Sequence, residues 1–266
     1  MMKHGYSLSL AIALTAPLSS LSAAVISYGT AGSVYSQDFN HTTSDADGEG
    51  TSAWTNGTTL TGWHGTIDPA RSTTVAVTTG GSSTISGSVG TLTSMGPVAS
   101  NERALGMQPG GGLTQYLAAQ IGNATGGTLT QFTLGYTGEQ WRRIAETTLT
   151  LVFEYQVFDS GLGSLNAAGG WTAVTALNFT GPSTGNSGGR NGNDPLNRTV
   201  ISPVDVPVTW NADQELWIRW TGTSTSASSN RQMLGVDDLT FTAVPEPSAL
   251  LLGMAIAPLL SLRRRR

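Results

Sequence analysis

Alternation of apolar and polar positions runs through the middle of this chain. In "TLTLVFEYQV", Leu149, Leu151, Phe153, Tyr155 and Val157 share one side of an extended backbone, and Thr148, Thr150, Glu154 and Gln156 share the other. "ELWIRW" groups Leu216, Ile218 and Trp220 and turns Trp217 and Arg219 the opposite way. "TQFTLGY" aligns Phe132, Leu134 and Tyr136, and "DDLTFTAV" aligns Leu239 and Phe241. Period-two alternation in β-branched and aromatic residues, broken by Gly, Asn and Pro, predicts half-buried strands. Helical periodicity is nearly absent. Only "LTQYLAAQIG" from Leu113 reads as a candidate helix, and it is short and flanked by glycine. Residues 42–50 and 181–194, rich in Gly, Asn and Ser, are expected to be exposed loops. No internal linker divides the chain, and no repeat is visible. The expected fold of residues 25–243 is therefore one all-β domain, an antiparallel β-sandwich of two sheets. Trp141, Trp220, Phe153 and Phe241 are expected in its core.

The two ends break this pattern. Residues 1–24 carry Lys3, then an uncharged apolar run from Leu8 to Leu21, then the small residues Ser22, Ala23 and Ala24. That is the layout of a secretory signal-peptide helix, with cleavage expected after Ala24. The other end, "VPEPSALLLGMAIAPLLSLRRRR" from Val244, sets a Pro-Glu-Pro turn before an apolar run at 249–262 and four arginines. As a helix the run spans about 21 Å, against a hydrocarbon core of roughly 30 Å. It is a short transmembrane helix that depends on its flanking arginines to snorkel. Pro245 and Pro247 stop a helix from running back into the domain. Arg263, Arg264, Arg265 and Arg266 would hold their end in the cytoplasm.

Taken together, Pro245-Glu246-Pro247, the apolar helix and the arginine cluster resemble the PEP-CTERM sorting signal of exported bacterial proteins, here at residues 244–266. The resemblance implies two partners, the general secretion machinery and an exosortase, a membrane-embedded cysteine transpeptidase that recognises the tail. It also implies a precursor anchored in the inner membrane, followed by trimmed protein at the cell surface or in the extracellular matrix. An ordinary C-terminal tail anchor is the alternative.

Charge narrows the partners further. Residues 25–244 contain no lysine, and their eight arginines face sixteen carboxylates. So acidic a segment argues against nucleic acid as a non-specific partner, since phosphate contacts need cationic surface. The chain has no cysteine, which excludes disulfides, thiolate nucleophiles and cysteine-based metal sites. Packing alone must hold the fold.

Several segments are similar to an uncharacterised ectodomain family common in exported proteins of environmental bacteria. They are "QDFN" from Gln37, "GWHG" from Gly62, "ERALG" from Glu102, "YTGEQWR" from Tyr136, "NRT" from Asn197, "WIRW" from Trp217 and "VDDLTFT" from Val236. Gly-Glu-Gln-Trp-Arg is the most specific of them. The resemblance implies a jelly-roll-like sandwich and no established enzymatic activity. One departure is the loop "TGTSTSASSNRQML", which has no carboxylate where such domains usually carry an acidic stretch.

Three constellations offer chemistry. Asp237 or Asp238 could share a structural Ca²⁺ with Asp38 on the first strand, though adjacent residues on a regular strand point opposite ways and Ca²⁺ takes about six to eight oxygens. Alternatively these acids cap turns. Glu139, Trp141 and Arg142 could hold a sugar, the indole stacking on its face and the polar groups taking its hydroxyls. Alternatively Trp141 fills the core and Glu139 pairs with an arginine across a strand. "DADGEG" at 45–50 lacks the distant bidentate Glu of a Ca²⁺ loop and reads as solvated. Past residue 24 the only histidines are His41 and His64; His64 is expected in an exposed turn, and no G-x-S-x-G elbow exists. Glu102, Glu139, Glu146 and Glu154 are the carboxylates available to a glycosidase. The expected function is that of a non-catalytic, exosortase-sorted surface or matrix protein that binds polysaccharide. A secreted glycan hydrolase on a jelly-roll framework is the alternative.

Overall fold

The computed structural model describes residues 24–40, 50–66, 74–78, 92–98, 100–110, 112–144, 148–223 and 232–246. In chain order the strands among them are β1 (Ile26–Tyr28), β2 (Tyr35–Gln37), β3 (Gly50–Ala53), β4 (Trp63–Gly65), β5 (Thr74–Thr78), β6 (Leu92–Met95), β7 (Ala104–Met107) and β8 (Thr114–Asn123). There follow β9 (Leu129–Arg143), β10 (Thr150–Asp159), β11 (Thr172–Ala173), β12 (Phe179–Thr180), β13 (Gly188–Gly189), β14 (Arg198–Trp210), β15 (Gln214–Thr223) and β16 (Met233–Val244).

They form two sheets. In the first, β8, β15 and β10 make an antiparallel centre, with β1 and β4 along the free side of β8 and β11 and β12 along that of β10. In the second, the order is β13-β9-β16-β7-β6-β5-β3, with β14 also on β9 and β2 also on β16. The all-β two-sheet sandwich read from the alternation is present. It is not wholly antiparallel, because β1 runs parallel to β8 and β5 parallel to β6. Each of these pairs joins strands that no tight hairpin connects, which is the condition for parallel pairing.

The core lies between the sheets, and Trp220 is at its centre. Its ring stacks on Trp63 at 6.3 Å between centroids and meets Tyr136 and Phe153 edge-on, each at 5.3 Å. Phe153, Trp220 and Phe241 are fully buried, as expected. Aromatic pairs of this geometry add about 0.5–1.5 kcal/mol each beyond the area they bury.

Three sequence expectations are corrected. The candidate helix at 113–122 is strand β8, which is paired on both sides. Leu117, Ala119 and Ile121 point into the core, and two ladders outweigh the weak helical preference of Leu, Ala and Gln. His64 is not in an exposed turn but on β4, buried against the Trp217 ring at 4.7 Å. The 181–194 segment is not simply solvated. It turns back over β9, pairs with it through β13, and buries Ser183 and Gly192.

Among the described residues no helix is long and apolar enough to cross a membrane. Residues 1–23 and the tail from Pro247, including Arg263, Arg264, Arg265 and Arg266, lie outside the described residues, as does "DADGEG" up to Glu49. Pro245 and Glu246 follow β16 as exposed residues outside any strand.

Candidate functional site

Strand pairing gathers acids on the second sheet. Glu139 lies on β9 and Asp237 on β16, whose register sets Gly235 opposite Glu139 and Asp237 opposite Thr137. Glu102 sits just before β7, the other neighbour of β16. One carboxylate oxygen from each of Glu102, Glu139 and Asp237 lies within 4.8 Å of those of the other two. Two bulges aim these groups. On β9, Trp141 is the extra residue between the Gln140–Leu234 and Arg142–Met233 pairs. On β16, the register shifts between Asp237 and Thr240, with Asp238 at φ 47°. Bulges re-aim side chains and commonly sit beside sites.

A loop closes over the cluster. Gly192 lies on Trp141 so closely that a Cβ there would be 2.3 Å from the indole nitrogen, and only glycine allows the approach. Asn193, next along, donates through Nδ2 to Glu102 Oε2. Beneath it Glu139 and Asp237 are 1% and 4% exposed, whereas Glu102 stands half-buried at the rim.

The electrostatics follow from burial. Loss of water pushes the Glu139 carboxyl up to about 7. The Trp141 N–H, donating to Oε2 at 2.9 Å, and Arg198, facing Glu139 from β14, pull it down, while Glu102 and Asp238 push it up. Burial pushes Asp237 up to about 9 against a hydrogen bond from the Asp238 backbone, with Asp238, Glu139 and Glu102 adding to the rise. Asp237 Oδ1 is buried without a hydrogen-bond partner. An orphaned buried carboxylate oxygen is costly and calls for an explanation.

The sequence-predicted residues divide differently from expectation. Glu139, Trp141 and Arg142 are all buried, so Trp141 presents no face on which a sugar could stack. Trp141 packs with Met95 and Met233 in a small cluster apart from the main core, and Arg198 stands opposite Glu139 in the β14–β9 register. Of the two acids offered as partners to Asp38, Asp238 is exposed and comes beside it, whereas the bulge leaves Asp237 buried with Glu102 and Glu139. Asp38 and Asp238 line a shallow surface pocket with Ser36, Gln37 and Thr240, and Asp38 caps a turn by accepting from Asn40. The pairing of Asp237 with Glu102 and Glu139 has no local sequence signal, since two separate strand pairings, β16 with β9 and β16 with β7, create it.

A second polar and aromatic cluster covers the outer face of the first sheet. The Arg219 guanidinium lies 3.7 Å from the Trp171 ring centroid and 4.6 Å from that of Tyr116. It pairs with Glu154 Oε2 at 3.0 Å and donates to the Leu165 carbonyl at 2.8 Å. Thr221 donates to the same Glu154 oxygen. Tyr116, Trp171, Glu154, Gln156 and Thr221 all keep part of their surface in water. At the far end of this face His64, Gln120 and Glu215 form a buried chain of hydrogen bonds, and burial holds the His64 imidazole below its usual range.

No family model and no curated protein matches the chain. Among solved structures, it is similar to a CBM61 module in complex with β-1,4-galactotriose, with a TM-score of 0.35 and 10% identity over 68% of this chain and 88% of that one. It is also similar to the CBM22-1 xylan-binding domain of Paenibacillus barcinonensis Xyn10C, with a TM-score of 0.33 and 8% identity over 83% and 100%. A CBM4 structure aligns with a TM-score of 0.26 and 14% identity over 68% and 94%. At these levels the likeness concerns the arrangement of strands, and a functional reading has to rest on side chains.

Proposed function

We propose that this chain is an exported, exosortase-sorted protein of the cell surface or extracellular matrix whose sandwich binds polysaccharide without cleaving it. The observation that carries the binding reading is the outer face of the first sheet, where half-buried Tyr116 and Trp171 flank Arg219 beside Glu154 and Thr221. Partly exposed rings offer stacking surface to the apolar face of a pyranose, and the carboxylate, amide and hydroxyl beside them offer partners to its hydroxyls. Gln156 adds an amide to the same face, registered opposite Trp217. Cleavage is not the chemistry of the acid cluster on the other sheet, because Glu139 and Asp237 lie beneath a loop rather than across an open groove.

Sorting rests on the sequence of the tail, Pro245-Glu246-Pro247 followed by the apolar run and the arginines. Signal-driven export carries the sandwich out until the apolar run enters the bilayer. The four arginines stop transfer there, each costing about 2.5–3.5 kcal/mol at the centre of a membrane-spanning helix. That leaves the Pro-Glu-Pro motif just outside, within reach of a membrane-embedded transpeptidase, and its prolines disfavour a helix there.

The test of binding is a glycan array on the purified protein, run beside Trp171→Ala and Tyr116→Ala. Signals lost in both variants support this face, and signals unchanged in both overturn it. The test of sorting is mass spectrometry of cell-associated protein, which should start near Val25 and lack Arg263–Arg266.

A further inference from the structure

We propose that the cluster of Glu102, Glu139 and Asp237 is a binding site for a hard divalent cation of the Ca²⁺ class, roofed by Asn193. Two independent observations carry it. The first is convergence, since oxygens of three carboxylates from three different segments lie within 4.8 Å of one another. Oxygens bound to one Ca²⁺, at about 2.3–2.6 Å from it, are at most about 5 Å apart, so one ion can touch all three. The second is Asp237 Oδ1, which is buried without a hydrogen-bond partner in a residue only 4% exposed. A buried acceptor without a donor costs free energy that a cation removes.

The donor chemistry selects the ion. All three side chains are carboxylates, with no imidazole or thiolate in the group, and an all-oxygen set suits Ca²⁺ better than a transition metal. Three carboxylates also bring up to six oxygens, the lower bound of the Ca²⁺ coordination number. Asn193 now donates its amide to Glu102. A half-turn of that amide would present its carbonyl oxygen to an ion instead. Among the charges acting on Glu139 and Asp237, Asp238 adds a fourth carboxylate and Arg198 opposes the acids at Glu139.

This site is distinct from the shallow pocket of Asp38 and Asp238, and it does not depend on polysaccharide binding. Its consequence is structural: one ion would tie β9, β16, the approach to β7 and the roof loop together.

The full-length chain, stripped with EDTA, is titrated with Ca²⁺ alone and then with Tb³⁺ under tryptophan excitation. Ca²⁺ should raise the melting temperature by about 5 °C or more at saturation. Tb³⁺ should show sensitised emission, because the Trp141 indole is bonded to a ligating carboxylate. Asp237→Asn and Glu139→Gln should each remove the thermal shift. Should either fail to fold, Glu102→Gln at the half-buried rim still decides, by weakening Ca²⁺ about tenfold or more. Trp141→Phe should remove most of the Tb³⁺ emission while the Ca²⁺ shift persists. Folded wild-type protein that shows neither shift nor emission overturns the proposal. So does a shift that survives Asp237→Asn and Glu102→Gln but disappears in Asp38→Asn/Asp238→Asn.

Discussion

The indole N–H of Trp141 donates to Oε2 of Glu139, two residues back on the same strand, at 2.9 Å. A regular strand puts both side chains on one face, and the bulge at Trp141 brings the ring down onto the carboxylate. Trp141→Phe keeps most of the packing against Met95 and Met233 but removes the donor. Hydrogen bonds to charged groups contribute about 1.5–3 kcal/mol. Denaturant unfolding of the cation-free variant should show a loss of that order, greater at pH 8, where Glu139 is ionised, than at pH 5.

Stability of the cation-free protein should fall as pH rises. Glu139 and Asp237 both have folded-state values raised by burial, to about 7 and about 9, from ordinary carboxylate values. Between those limits the folded state binds more protons than the unfolded one, so stability decreases with pH. The stabilising protons are fully in place below about pH 4 and are lost as pH passes 7 and then 9. Glu102, Asp238 and Arg198 share the local field and set the steepness. Melting curves in EDTA from pH 4 to pH 9 should show this decline. Glu139→Gln should flatten its lower part, and Asp237→Asn its upper part.

Gly192→Ala tests the roof. The added methyl would sit 2.3 Å from Trp141 Nε1, inside contact distance, so either the loop lifts or the indole tilts. Overpacking of this kind costs about 1–3 kcal/mol. A red shift of tryptophan emission together with a lower melting temperature is the expected outcome. Unchanged values would mean that the loop yields without cost.

Arg219→Lys addresses the other face. The planar guanidinium lies against Trp171 and Tyr116 while also reaching Glu154 and the Leu165 carbonyl. An ammonium keeps the charge but cannot stack and donate in all of these directions. Loss of about 1–2 kcal/mol is expected, since the interaction at a partly exposed ring is worth about that. Binding signals on a glycan array should weaken with it, because Trp171 loses the contact that orients it.

How much of this was legible beforehand depended on the range of the signal. Strands β10, β15 and β16 were readable because period-two alternation is local and one face of each is buried against the other sheet. Strand β8 was not, since Leu117, Ala118 and Ala119 carry helical preference and only pairing with β1, β4 and β15 overrules it. The burial of His64 is illegible for a different reason: a three-residue edge strand has too few positions to alternate. The acid cluster is non-local throughout. Even so, "ERALG", "YTGEQWR" and "VDDLTFT" each contribute one of its carboxylates, so the acids of those three motifs are its trace in the sequence. The loop over Trp141 left a fainter trace, a single glycine among many.

Strand β16 has a neighbour along both of its edges, β9 on one side and β7 and β2 on the other. It ends at Val244, one residue before Pro245. Any tether attached beyond that point therefore pulls along the length of an interior strand. Force in that direction loads the hydrogen bonds of both ladders together, in shear, instead of opening them one by one from an edge. A protein held at a surface through this end would resist mechanical extraction far better than the same sandwich held through β3, which among the described residues pairs only with β5.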